Sequence, residues 1–145
     1  MSAGNDPEKD ATPILLHPAK RAAAFEQGRT LFNEERFYEA HERWEELWRA
    51  ESGREREFVQ GLILAAAHLH HVEKGNWSGA RRTASAALEK LSGAAPARQP
   101  YGALDADALR SALAYNTQLL ISRERSTDLP PPLADAFIHP KLMET

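Results

Sequence analysis

Apolar residues recur along this chain at the three- and four-residue spacing of an amphipathic helix, in five successive stretches separated by polar or Gly/Pro-containing breaks. The pattern predicts an all-α fold. A first helix runs from Pro18 to about Asn33 with Phe25, Gly28, Leu31 and Phe32 on its apolar face. Pro suits the first helical position, because the N–H it lacks would be unpaired there. The second helix places Phe37, Ala40, His41, Trp44, Leu47 and Trp48 on one face, which predicts that Trp44 and Trp48 are largely buried. Only Asn33, Glu34, Glu35 and Arg36 separate Phe32 from Phe37, so these helices are expected to form an antiparallel hairpin.

A third helix is expected from about Glu55 to Lys74. It is apolar nearly all round in its middle, with Leu62, Ile63, Leu64, Ala65, Ala66, Ala67 and Leu69, and should therefore be central. Gly75 stops it, and Asn76 can cap a fourth helix from Trp77 to about Leu91, which makes a second hairpin. Ser92 to Gly102 reads as a loop. Asp105 can then cap a fifth helix to about Arg125, with Leu109, Leu113, Leu120 and Ile121 as its apolar residues. Residues 1–12 read as a flexible tail and 13–145 as a single helical domain. Phe137 and Ile138, just before Pro140, are expected to belong to an extended strap laid on the helices.

Composition narrows the function classes. A length of 145 residues suits one core. The net charge of −3 supplies no excess of cations to neutralise phosphates, so no nucleic-acid partner is expected. With no cysteine, disulfides, thiolate zinc sites and cysteine nucleophiles are excluded. No stretch approaches the roughly 20 apolar residues that cross a bilayer, and the amino end has no basic region followed by an apolar run. A cytoplasmic protein without membrane contact or cofactor is the expectation.

The two hairpins share a pattern of small residues, Gly28 before Ala40 and Gly61 before Ala80. Together with Tyr38 and Trp44 they resemble the tetratricopeptide repeat, in which small residues let paired helices approach closely. More specifically, Leu31-Phe32-Asn33, Phe37-Tyr38-Glu39-Ala40-His41-Glu42, Trp44-Glu45 and Leu47-Trp48-Arg49 resemble the family known as domain of unknown function 309. Phe58-Val59-Gln60-Gly61-Leu62-Ile63, His71, Gly75-Asn76 and Gly79-Ala80 continue the resemblance, which covers about Phe25 to Leu91. It implies a small helical, tetratricopeptide-like fold with no established activity. The chain departs from that pattern at Leu64, where a polar residue is expected, and at His68, where a small or apolar one is.

One polar constellation could carry chemistry. His41 and Glu45 lie four residues apart on the second helix beside Glu42, while Gln60 and His71 fall on one stripe of the third, with His68 one turn before His71. Imidazole can accept a proton or ligate a metal near neutral pH, and a carboxylate can fix its tautomer. His41, Glu42, Glu45, Gln60 and His71 are therefore the candidate polar site. Glu45 occupies the position where a zincin helix needs its second His, which rejects a metalloprotease. His68, His70 and His71 cannot all face one way, since successive helical positions differ by about 100°. The reading preferred over a chemical site is structural: His41 is a core histidine whose ring nitrogens bond Glu45, Gln60 or a backbone carbonyl and tie two helices together. The basic stretch Lys74, Arg81, Arg82 and Lys90 reads as a solvated face. The favoured function is a non-enzymatic module for protein interaction or self-association. The alternative is a small-molecule or metal-binding enzyme with a His/Glu site between helices two and three.

Overall fold

The computed structural model describes residues 16–93, 95–125 and 136–143, so the tail expected at 1–12 lies outside the described residues. The described chain is all-helical: α1 (Pro18–Asn33), α2 (Phe37–Ala50), α3 (Gly53–Glu73), α4 (Trp77–Lys90) and α5 (Ala106–Arg125), with a short 3₁₀ turn at Tyr101–Ala103 before α5. Each helix packs against its neighbour in sequence. Buried residues of all five, together with Leu142, share one core.

The local signals that start and stop these helices are visible in their hydrogen bonds. Pro18 begins α1 after His17, whose imidazole accepts from the Ala19 N–H. Asn76 caps α4 by accepting from the Gly79 N–H at 3.1 Å, and Asp105 accepts from the Asp107 and Ala108 N–H groups to start α5. Helix α3 begins two residues before the expected Glu55. Gly53 takes φ +61°, which lets the chain turn from the extended backbone of Ser52 directly into the helix.

The turns after α1 and α3 have one and the same geometry. In the first, Glu35 N–H donates to Phe32 O and Arg36 N–H to Leu31 O; in the second, Gly75 N–H donates to Val72 O and Asn76 N–H to His71 O. This is a Schellman closure, with the left-handed residue Glu35 (φ +62°) in one turn and Gly75 (φ +70°) in the other. The two turns match one another, in a register that differs from the one expected from Gly61. The turns place His68, not Gly61, at the position of Gly28, and Ala84 at that of Trp44. Bulk is exchanged between the two helix pairs: Trp44 lies over Gly28 in the first, whereas in the second the large residue is His68 on the leading helix. That exchange accounts for a histidine where the family resemblance suggests a small residue.

Trp44 is fully buried, packs on Phe32 at 5.8 Å between ring centroids, and donates its Nε1–H to Phe25 O at 3.3 Å. A Cβ at Gly28 would stand 2.1 Å from Trp44 Nε1. Relieving that overlap requires the fully buried indole or the helix to shift, so Gly28→Ala should destabilise the protein by about 1–3 kcal/mol, read as a lowered urea midpoint. Trp48 is largely covered as expected, packed against the edge of the same core with the Arg56 guanidinium 3.8 Å above its ring. The loop expected over Ser92–Gly102 has no α-helix among its described residues, and its Tyr101, in the 3₁₀ turn, enters the core between Phe25 and Phe58. The phenol donates to Glu51 Oε2 at 2.5 Å. Glu51 is itself 1% exposed and lies 2.9 Å from Arg21 Nε and 3.8 Å from Arg98. Burial and the adjacent carboxylate both push the Tyr101 hydroxyl well above its ordinary range, so it stays a donor.

Residues 136–143 form the expected strap, crossing from α5 to α1. Phe137 is buried among Val72, Ala80 and Leu120, stacked on Trp77 at 5.5 Å, and Leu142 enters the main core. Ile138 of the strap is 41% exposed, and Leu142 is its second buried side chain.

Candidate functional site

The structure brings His41 and Glu45 of the expected polar site together at 4.0 Å and sets Gln60 and His71 apart. His41 is not a core histidine: its side chain is 32% exposed, its ring stacks on Tyr38, and its Nε2 is 4.0 Å from Glu45 Oε2. The reason is angular. Phe37, Ala40, Trp44 and Leu47 make the buried stripe of α2, and His41 sits about 100° round from Ala40, at the edge of that stripe. Glu42 and Glu45 line an open depression on the outer side of α2 with Glu39, Glu46, Arg43 and Arg49. Gln60 is half-buried and lies about 16 Å along α3 from His71, by the rise of 11 residues, so one small site cannot hold both.

His71 turns toward α4, where its Nδ1 accepts from Asn76 Nδ2 at 3.0 Å and its ring covers Gly79. Burial, then the neighbouring His70 and Arg82, hold its pKa below the ordinary value. It is His70 that faces α2, packing against Tyr38 at 5.7 Å. Among the described residues, no group of three His, Asp or Glu side chains is placed to hold a metal ion. An exposed imidazole 4.0 Å from a carboxylate contributes little. His41→Ala should therefore change stability by less than about 1 kcal/mol in thermal unfolding. A loss of several kcal/mol would return His41 to the core.

The polar groups that are buried together lie elsewhere. His68 is fully buried, with Nδ1 2.8 Å from Ala80 O and Nε2 3.1 Å from Asn116 Nδ2. A carbonyl on one side and an amide donor on the other leave one consistent tautomer: Nδ1–H donates to Ala80 O and Nε2 accepts from Asn116. Burial lowers the His68 pKa to about 4, so the ring is neutral at pH 7. Asn116 uses its second amide hydrogen on Ile138 O (3.0 Å) and accepts from the Ile138 N–H at Oδ1 (2.8 Å).

The same arrangement recurs at the other end of the strap. Asn33 Nδ2 donates to Leu142 O (3.1 Å), and Asn33 Oδ1 accepts from the Leu142 N–H (2.7 Å). Arg29 donates to the same carbonyl at 2.9 Å, and the Asp105 N–H holds Met143 O. Glu35 lies 3.8 Å from His139 and 3.6 Å from Lys141, whose ammonium also donates to Asn33 O. Two asparagines on α1 and α5 thus each bind both backbone groups of one residue in a non-helical segment, flanked by an aromatic pocket, a leucine pocket and a carboxylate.

None of Asn33, Asn116 or Arg29 stands out in the sequence as a site residue. The available signal was Asn116, which falls on the stripe of Leu109, Leu113 and Leu120, where a polar residue needs a buried partner.

Residues 25–83 match the family described as Domain of unknown function (DUF309), the stretch that contains both Schellman turns and the α2 motif. No curated protein and no solved structure matches the chain. None of the described helices is long and apolar enough to cross a membrane.

Proposed function

We propose that the chain is a non-enzymatic, tetratricopeptide-like interaction module that binds a protein segment, on a partner or on a second copy of itself. The observation that carries this reading is the pair of asparagine clamps on segment 136–143. Bonding to both the N–H and the C=O of one residue reads polypeptide backbone, whatever its side chain, while adjacent pockets choose among side chains. The alternative of a His/Glu enzyme has less support. His41 is on the surface, His71 is turned to α4, and His68 has both ring nitrogens engaged in holding helices and strap together.

A random peptide display library panned against the Phe137→Ala chain tests the reading. We expect enriched peptides that bind at least about tenfold more weakly when Asn33 and Asn116 are also changed to alanine. Sedimentation of the same protein should otherwise show concentration-dependent dimers. A chain that enriches no peptide and stays monomeric at every concentration would overturn the module.

A further inference from the structure

The groove under the strap has features of a reader for one kind of sequence. It offers a pocket of Val72, Trp77, Ala80 and Leu120 for an aromatic side chain, and a second, in the main core, for a leucine five residues later. Between them Glu35 faces the two basic residues of the strap, His139 and Lys141. Asn116 and Asn33 hold the backbone at or beside each pocket residue.

We propose, resting on the interaction-module reading, that this groove binds partner segments of the form aromatic–x–x–x–basic–Leu, and that the chain's own Phe137-Ile138-His139-Pro140-Lys141-Leu142 is a resident pseudo-ligand that such a segment must displace. The occupant is a non-helical basic peptide. Charge and pattern both favour it: the strap already fits the groove, the acidic residue meets the Lys141 ammonium, and the clamps make no demand on the side chains at x. A tethered segment meets its groove at an effective concentration on the order of millimolar. Peptides in trans therefore compete poorly with an intact strap and well with a weakened one. The contact is autoinhibitory by construction.

The test uses the full chain carrying Phe137→Ala and Leu142→Ala, and a fluorescein-labelled peptide of the sequence AFIHPKLMET, followed by anisotropy. The variant should bind at least about tenfold more tightly than the unmodified chain. Binding should fall at least about tenfold when Asn33 or Asn116 is also replaced by alanine, when the peptide's Phe and Leu become Ala, or when its Lys becomes Glu. If the variant is helical by circular dichroism and binds no better than the unmodified chain, the proposal is overturned. If the variant has lost its cooperative melt, restoration of that melt by millimolar peptide supports the proposal, and failure to restore it overturns it. Reciprocal strap exchange in a dimer, without peptide binding, also overturns it in favour of self-association. Groove-dependent peptides of an unrelated pattern from the display experiment would overturn this inference alone and leave the module standing.

Discussion

Replacing Trp44 with alanine is expected to cost about 3–5 kcal/mol, the range for truncating a large buried aromatic, and to shift the urea unfolding midpoint accordingly. Every contact of this side chain contributes. It is fully buried, it fills the space that Gly28 leaves open, it packs on Phe32, and its N–H finds an acceptor in the Phe25 carbonyl of α1. Truncation would leave a cavity at the junction of α1 and α2, and neither Gly28 nor Ala40 has atoms to fill it. Gly28 could then accept a side chain. A Gly28→Ala substitution that costs about 1–3 kcal/mol with Trp44 present should cost much less in the Trp44→Ala background, since the two sites share one volume. Additive losses would show that the glycine is required for some other reason.

The hydrophobic period of the chain was a sound guide to the helices because burial is periodic: Phe37, Ala40, Trp44 and Leu47 are all buried, and α1, α2 and α4 begin at the expected residues. The same reasoning misplaced His41 for a physical reason. A stripe has edges, and a residue one step off its centre can be read as core or as rim with equal ease; here His41 is rim, while Trp48 packs against the core. The candidate site was less legible still. Its determinants are asparagines at the end of α1 and in α5 that act on a segment more than 20 residues from either in sequence. No spacing rule relates Asn33 to Leu142. Glu51 and Tyr101 likewise pair across 50 residues, and each looked like part of a polar break or loop. Periodicity reports which face is buried, not which buried polar group will meet another across the fold.

Burial of His68 makes the stability of the fold depend on pH. Its ring is neutral in the folded protein, chiefly because burial disfavours the cation, with smaller repulsions from His139 and His71, and its pKa is lowered from 6.5 to about 4. In the unfolded chain the same imidazole takes a proton near pH 6.5. Between pH 6.5 and 4 the unfolded state therefore holds a proton that the folded state refuses, and stability falls as the pH falls through that window. The full difference amounts to about 3 kcal/mol once pH 4 is reached. Carboxylates add their own acid sensitivity, so the comparison must be with a variant. Urea unfolding of the unmodified chain and of His68→Gln from pH 7.5 to 4 should give curves that converge, the histidine protein losing about 3 kcal/mol more than the glutamine protein. Parallel curves would show that the imidazole titrates normally and is not sealed. The strap should feel the same proton. A protonated His68 has N–H on both nitrogens and can no longer accept from Asn116, which is the residue that holds Ile138 at both backbone groups. The protection of the Ile138 amide against exchange, taken relative to its intrinsic rate at each pH, should accordingly fall on acidification before that of the helices does, and in His68→Gln that early loss should disappear.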